Sequence, residues 1–371
     1  MRELVPQNLV VLLGVLFGAM VGSFLNVCIY RLPRGISVAK PARSFCPGCE
    51  KTIPWYHNIP VLSWLVLRGK CAGCQQAIPS RYLLVEVLTA VLFGGIVWKF
   101  WGSSAFVIPP YFLFVSLLLV ATFVDFEHMI IPDEVTWGGV LAGLVCALCV
   151  PALHSVSSRL DSLLMAGIGA LAGYGILWCV VELGRLVFGR RKVTFETNTE
   201  AVWTRSGDTA ELVVDGEALD WSGLFPRGTE SVLMEFEEAQ VDGRRLSGSS
   251  AVWKFESLAV DRQNFDLNQV DQVKARLRSI VLPREVMGYG DVKFLAAIGA
   301  FTGWKAVFFT LLSGSIVGAG LGLLALLTGG REWSGKIPFG PYLALGALLW
   351  LVMGKELWGA YWALIYNGAG Q

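Results

Sequence analysis

The sequence predicts an all-α polytopic membrane protein with about eight transmembrane helices, interrupted by two polar segments. Three observations predict it. Charged residues are only 16% of the 371, against about 25% in an ordinary soluble domain, and the mean hydropathy is +0.57. The apolar residues come in runs of membrane-crossing length. The two polar stretches have compositions of their own, one basic and cysteine-bearing, the other that of a soluble domain. This excludes a disordered chain, a collagen-like chain and a small disulfide scaffold. The net charge of +1 leaves no bulk field for a nucleic-acid partner.

A membrane helix needs ~20 mostly apolar residues. Residues 9–29 form the first, and 82–98, 105–124, 135–153 and 163–188 the next four. Residues 294–327 are apolar throughout, too long for one span, and broken at Gly303-Trp304-Lys305, which reads as a short helix followed by a full one. Residues 342–353 are the last span, able to continue past Lys355.

Lys and Arg in short loops set the orientation. Residues 31–81 hold Arg31, Arg34, Lys40, Arg43, Lys51, Arg68, Lys70 and Arg81. Arg185, Arg190, Arg191 and Lys192 follow the fifth span, and Arg331 and Lys336 lie between the last two. The opposite loops have only Lys99, Arg159 and Lys305. Residues 31–81 are therefore expected in the cytoplasm and both termini outside. The first run does not read as a cleaved signal peptide, because its positive charge is downstream.

The expected organisation is 1–30 as the first helix, 31–81 as the cytoplasmic loop, 82–188 as helices two to five, 189–285 as the insert, and 286–371 as helices six to eight. The insert reads as small and β-rich, with strands at 210–214, 232–236 and 252–255 and turns at Gly207-Asp208, Asp215-Gly216 and Asp242-Gly243. Within 269–282, Val270, Val273, Leu277 and Ile280 have helical spacing, so an amphipathic helix is expected to end it.

Four of the eight cysteines form two knuckles, Cys46-Pro-Gly-Cys49 and Cys71-Ala-Gly-Cys74. In a cytoplasmic loop disulfides are rarely stable. Paired C-x2-C knuckles with a glycine in each turn suit a tetrahedral four-thiolate zinc site, so the loop reads as zinc-ribbon-like, with Zn2+ in a structural role. The bland alternative is two unrelated pairs. Cys28, Cys146, Cys149 and Cys179 fall in spans; Cys146 and Cys149 share the C-x2-C spacing, but on an apolar helix, where they read as buried small residues.

Acids at the membrane edge are costly, and so are candidates for function. Asp125 closes the third apolar run, and Asp291 follows Gly288-Tyr289-Gly290 just before the short sixth span. Taken singly, Asp125 reads as a solvated helix-end acid and Asp291 as a helix N-cap. The orientation puts both on the same membrane face, where two Asp could share a proton and activate a water. The two glycines before Asp291 would let a substrate strand approach. Asp125 would sit at the C-terminal end of its helix and Asp291 at the N-terminal end of its own, so helix-end fields would leave the shared proton more on Asp125. Asp133 reads as the N-cap of the fourth span, Glu127 and Glu134 as interfacial, and Glu86 as paired with Arg81 or facing a polar cavity. The three histidines have no metal or triad spacing.

Together these residues resemble the bacterial prepilin peptidases, the type IV leader peptidases of the A24 aspartic peptidase family. Gly22-Ser23-Phe24-Leu25-Asn26-Val27 with Tyr30-Arg31-Leu32-Pro33 is similar to the family's first-span signature. Ile53-Pro54-Trp55, Asn58-Ile59-Pro60, Ser63-Trp64-Leu65, Arg68-Gly69-Lys70-Cys71 and the two knuckles resemble its cytoplasmic loop. Arg81-Tyr82 with Val85-Glu86 continues it. Asp125 with Ile131-Pro132-Asp133, Gly288-Tyr289-Gly290-Asp291-Val292-Lys293 and Pro338-Phe339-Gly340-Pro341 complete the set, in order, over 1–188 and 284–354. The insert departs from the family's usual short loop.

The resemblance implies an inner-membrane aspartic endopeptidase with Asp125 and Asp291 catalytic. It would cleave the basic leader of prepilins and pseudopilins after a Gly on the cytoplasmic side. It further implies N-methylation of the new terminus from S-adenosylmethionine, associated with the loop around Gly69 and Lys70. The expected partners are those substrates and membrane lipid, and the expected place is the bacterial cytoplasmic membrane. Rival readings are a transporter using Asp125, Glu86 and Asp291, disfavoured because its acids would sit nearer the midplane and its halves would repeat, and a peptidase that has lost methyl transfer.

Overall fold

Glycines set how the first two long helices meet. Helix α1 (Gln7–Arg31) carries Gly14, Gly18 and Gly22 on one face. A Cβ at Gly18 would lie 2.7 Å from the Thr89 carbonyl oxygen, and one at Gly22 2.7 Å from Glu86 Cα. With no water between membrane helices, such close approach supplies the attraction. The partner is α3 (Arg81–Phe100), and the contact places Ser23 and Asn26 of α1 beside Glu86 and Tyr82. The computed structural model describes residues 6–41, 43–102, 104–206, 209–221, 225, 231–246, 248–261, 263–283, 287–327 and 338–368.

Between α1 and α3 lies the knuckle loop with a short helix, α2 (Leu62–Val66). After α3 come α4 (Ile108–His128), α5 (Asp133–Cys149) and α6 (Arg159–Phe188). The C-terminal helices are α7 (Tyr289–Thr302), α8 (Trp304–Leu327), α9 (Gly340–Leu349) and, past a π turn over Trp350–Gly354, α10 (Lys355–Gly368). The break between α7 and α8 falls at Gly303, whose φ of 80° ends the helix. Small residues recur where α5 meets α7. A Cβ at Gly139 would lie 3.0 Å from that of Ala297, and one at Gly143 2.7 Å from that of Ala300.

Among the described residues, five helices are long and apolar enough to cross a membrane, beginning at Gln7, Arg81, Ala105, Arg159 and Trp304. The apolar helices α5 and α7 have 17 and 14 residues, and α9 with its π turn runs over Gly340–Gly354. At 1.5 Å rise per residue they fall short of a hydrocarbon core of about 30 Å. The eight expected apolar helices are thus present, but only five reach spanning length. Arg331, Lys336 and the turn Gly207-Asp208 lie outside the described residues.

By its packing the chain divides into two units, Met1–Trp178 with Gly288–Gln371, and Cys179–Met287. The second unit holds a nine-stranded antiparallel sheet: β1 (Arg190–Ser206), β2 (Thr209–Val214), β3 (Glu217–Asp220), β4 (Val232–Val241), β5 (Arg244–Leu246), β6 (Ser250–Trp253), β7 (Ser257–Val260), β8 (Gln263–Asp266) and β9 (Gln272–Pro283). The order is β3-β2-β1-β9-β4-β6-β7-β8, with β5 on β4. Asp215-Gly216 and Asp242-Gly243 turn their hairpins with positive φ at both residues, as two-residue hairpin turns require. Trp203, Trp221 and Trp253 fill the core edge-on, with centroids 5.7 Å apart for Trp203–Trp221 and 5.4 Å for Trp221–Trp253.

The helix expected at 269–282 is instead β9, a central strand. Its buried residues alternate, Val273, Ala275, Leu277 and Ser279, with Lys274, Arg276 and Arg278 exposed between them. Pairing with both β1 and β4 skips Arg278, a bulge, after which Ser279 and Ile280 are both buried. The three-residue step from Leu277 to Ile280 that looks helical is this bulge.

Candidate active site

Asp125 lies in the last turn of α4, 5% exposed, and its carbonyl accepts the N–H of Met129, the left-handed residue that ends the helix. The chain then passes through Ile131-Pro132 into α5. Asp291 lies in the first turn of α7, half-buried, and Asp125 is the acid that acts electrostatically on it. Ile131 links the two turns, meeting Gly290 beside Asp291 and Gly340, whose N–H donates to Asp125, so two carboxyls from distant parts of the chain lie in one region. Asp291 is not the N-cap. That position is Gly288, whose carbonyl accepts the Asp291 N–H at 3.2 Å.

Helix α9 points its N-terminus at Asp125. Gly340 N–H donates to Asp125 Oδ2 at 3.0 Å. Pro341, next in the chain, has no N–H, which suits the first turn of a helix. A Cβ at Gly340 would lie 2.7 Å from Asp125 Oδ2 and 3.0 Å from Ile131 Cδ1. Ile131 also meets α7, where a Cβ at Gly290 would sit 3.3 Å from its own Cβ. Gly290 and Gly340 thus let α7 and α9 close on Ile131, and Gly290 does not hold space for a substrate strand. Gly288 is the open position: it is exposed, and a Cβ there would meet only Asp291 Oδ2, at 3.8 Å.

The helix-end placements of both acids are as expected, but the Gly340 donor was not legible. A hydrogen bond to a charged group is worth about 1.5–3 kcal/mol, more than helix-end fields of about 0.3–1 kcal/mol. Asp291 Oδ1 is buried with no partner among the described residues. The proton order drawn from helix ends alone is therefore not retained.

Neighbouring charges have found partners. Asp133 is the first residue of α5 rather than its N-cap, which is Pro132, and its Oδ1 accepts Lys293 Nζ of α7 at 2.6 Å. That ion pair ties the turn carrying Asp291 to α5. Lys293 was quoted from the sequence only as part of a motif. Glu127 pairs with Arg81 and is not merely interfacial. Glu86, freed from Arg81, faces a cavity.

The knuckles are built alike. Cys46 N–H donates to the Lys51 carbonyl and Cys71 N–H to the Gln76 carbonyl, while Glu50 and Gln75 N–H return to the Cys46 and Cys71 carbonyls. Glu50 and Gln75 both take positive φ, and the bridges Phe45–Thr52 and Lys70–Ala77 close the two hairpins. The four Sγ atoms lie within 4.8 Å of one another, and Cys46 Sγ is 3.7 Å from Cys74 Sγ. Tetrahedral zinc at Zn–S of about 2.3 Å would set sulfurs about 3.8 Å apart, so the cluster could hold it. The Cys74 and Gly73 N–H groups, with Cys46, hold the Cys71 thiol down to about 6, towards the thiolate a metal binds.

A cavity of about 690 Å³ lies between α1, this loop and α3, within the range for small-molecule sites. Ser23, Asn26, His57, Trp64, Tyr82 and Glu86 are in its wall. Arg31, 3% exposed, donates to the carbonyls of Ser37, Val38 and Pro41 and so fastens the start of the loop. Gly69 and Lys70 do not line the cavity. Gly69 takes φ of 65° and packs under Trp64, where a Cβ would come within 2.8 Å of Cζ2, and Lys70 is exposed.

Comparison with known proteins covers both halves of this architecture. The family described as "Bacterial Peptidase A24 N-terminal domain" matches residues 16–100. The "Type IV leader peptidase family" matches residues 112–194 and 271–323, leaving out most of the sheet. Curated relatives named "Prepilin leader peptidase/N-methyltransferase" include one from Aeromonas hydrophila, 31% identical over 90% of this chain and 89% of its own. Another, from Stutzerimonas stutzeri, is 28% identical over 95% of this chain and 93% of its own. A third, from Myxococcus xanthus, is 44% identical over 56% of each chain. No solved structure matches.

Proposed function

The chain belongs to the type IV leader peptidase family, and from that premise we propose that it is a membrane aspartic endopeptidase and N-methyltransferase acting on prepilins and pseudopilins. It cleaves the leader after a Gly on the cytoplasmic side and methylates the new N-terminus from S-adenosylmethionine. The observation that supports cleavage is the meeting of Asp125 and Asp291 at the adjoining ends of α4 and α7, beside the Gly340 N–H. One carboxylate takes a proton from water as the oxygen attacks the scissile carbonyl. The other, protonated, donates to the carbonyl oxygen, and the amine leaves with a proton. Open space over Gly288 gives the substrate backbone an approach to Asp291.

Cys46, Cys49, Cys71 and Cys74 hold structural zinc in this reading, and the knuckle unit they brace forms the wall of the 690 Å³ cavity. That cavity has the size and the unpaired polar groups for a methyl donor and an acceptor amine. The donor supplies an electrophilic methyl group. Purified protein incubated with a prepilin and S-adenosylmethionine, read by mass, tests both activities. Leader loss reports cleavage and one added methyl reports transfer. Asp125→Asn and Asp291→Asn should each abolish cleavage and leave methylation of pre-cleaved substrate intact. Cleavage at the wild-type rate in either variant refutes the pair.

A further inference from the structure

Cleavage and methyl transfer are different reactions, and the acid pair accounts for one. Resting on the function proposed above, the second needs a site of its own, and the knuckle cavity holds a buried acceptor and a buried carboxylate side by side on α1 and α3. Most of its guanidinium groups are engaged: Arg31 by three carbonyls, Arg34 by the Tyr30 carbonyl and ring, and Arg81 by Glu127, with Arg81 Nε left over; Lys51 also lines the cavity. Acceptor capacity is open on the α1 side of the wall. Asn26 is 2% exposed, its Nδ2 is used on the Tyr82 carbonyl, and its Oδ1 has no partner. One turn along α3 from Tyr82, Glu86 is 8% exposed, with Oε2 accepting the Val61 N–H at 2.7 Å and Ser23 as a further partner. A buried acceptor without a donor is costly, and a carboxylate beside it is matched by a cation with several N–H bonds.

We propose that this cavity is the methyl-transfer site and that Glu86 and Asn26 receive the primary amine of the freshly cut chain. The ammonium donates to Asn26 Oδ1 and to the Glu86 carboxylate, and gives up one proton to Glu86. The nitrogen lone pair then forms the N–CH3 bond as the methyl–sulfur bond of S-adenosylmethionine breaks. That pair of electrons leaves with sulfur, giving S-adenosylhomocysteine and an N-methylammonium. A second hollow of about 350 Å³ shares Ser23, Val27 and Arg31 with the cavity and runs out to Met20 and Phe24, which are exposed on α1. It gives an apolar helix a track along α1 with its N-terminus entering at Asn26, which favours the cut chain over the methionyl ammonium of the donor as source of the amine.

The test is Glu86→Gln, which keeps an oxygen for the Val61 N–H and removes the charge, with Asn26→Ala as a second variant. Three quantities are read: methylation of a pre-cleaved pilin, binding of free and N-acetylated pre-cleaved pilin, and equilibrium binding of S-adenosylhomocysteine. Loss of one charge-assisted bond corresponds to roughly a 10–100-fold drop. The expected result is that drop in methylation and in affinity for free-amine pilin, with acetylated pilin and S-adenosylhomocysteine bound as by wild type. A drop in S-adenosylhomocysteine binding alone would overturn the assignment to the cut chain and give the pair to the donor's ammonium. Unchanged methylation in both variants overturns the site. Loss of methylation together with zinc and with cleavage would make Glu86 a support of the fold and also overturn it. Failure of wild-type protein to methylate would instead reject the transferase function itself.

Discussion

Gly340→Ala sets a methyl group against the Asp125 carboxylate. The new Cβ would lie 2.7 Å from Oδ2, where ordinary contact begins at 3.4 Å, and 3.0 Å from Ile131 Cδ1. Neither neighbour yields easily, because Asp125 is buried in the last turn of α4 and Ile131 is held against Gly290. Moving the carboxylate by about 0.7 Å stretches the 3.0 Å bond from the Gly340 N–H beyond useful length. A charged-group hydrogen bond of about 1.5–3 kcal/mol is lost, and displacement of a reacting group by about 1 Å costs about 10²-fold in rate. The expected result is a 10²-fold lower kcat for prepilin cleavage with KM little changed. Overpacking costs about 1–3 kcal/mol, and the gain in helix propensity is at most about 1 kcal/mol, so the net loss is small against the stability of a folded domain. The variant should therefore remain folded and methylate pre-cleaved pilin at the wild-type rate. Wild-type cleavage by a variant of wild-type Tm would refute the reasoning, because the Asp125–Gly340 contact would then have no part in positioning the acid.

The cysteine cluster should bind one zinc per chain, and Cys46→Ser should release it and expose 44–78 to protease, since so short a loop needs a metal staple. Metal analysis and limited proteolysis check this, and a metal-free wild type with a protected loop contradicts it. Arg190 and Pro283 are direct partners in the β1–β9 ladder, so the sheet begins and ends at one place. Replacing 191–282 by a short Gly/Ser linker should leave cleavage measurable, and a well-folded but inert deletion would place the sheet in the active site. In that sheet Lys192 and Ser279 hold the Glu235 carboxyl below its ordinary range. A depressed carboxyl stabilises above its unfolded-state value and loses that contribution as pH falls through its folded-state value. Acid unfolding should therefore shift less in Glu235→Gln than in wild type when pH is lowered below about 4.3, read by circular dichroism of the sheet.

Where the chain is apolar, its elements were legible, because a run of ~20 such residues has few alternatives. The α7–α8 break was legible from Gly303, and the hairpins from Asp215-Gly216 and Asp242-Gly243. Strand β9 was not, since a bulge at Arg278 converts a two-residue period into a three-residue step. The knuckle cluster could be read because C-x2-C spacing is a local property. The partners of the acids could not, because they are brought by other helices: Gly340 to Asp125, Lys293 to Asp133, Arg81 to Glu127. Glu86 stood out as an acid inside a span, but whether it met a cation or a cavity depended on which acid reached Arg81 first. Gly69 and Lys70 drew attention through resemblance, and they support Trp64 and the second knuckle from behind the cavity wall.

Arg81 and Glu127 join the two chemistries in space. Arg81 opens α3, five residues before Glu86, and Glu127 follows Asp125 within the last turn of α4. Both residues line the knuckle cavity, so its wall includes the turn that carries Asp125. In the proposed sequence the amine to be methylated does not exist until the peptide bond is cut, and it is formed at Asp125 and Asp291. Five residues of helix advance about 7.5 Å, so in this sequence the new terminus has a short distance to travel to reach Glu86 and Asn26 while the rest of the substrate helix stays docked. On the proposed roles, a transporter would have no use for a carboxylate pair set beside an amine-accepting pocket. A peptidase that also modifies its product requires that arrangement, since a product released between steps would have to be recaptured from the bilayer.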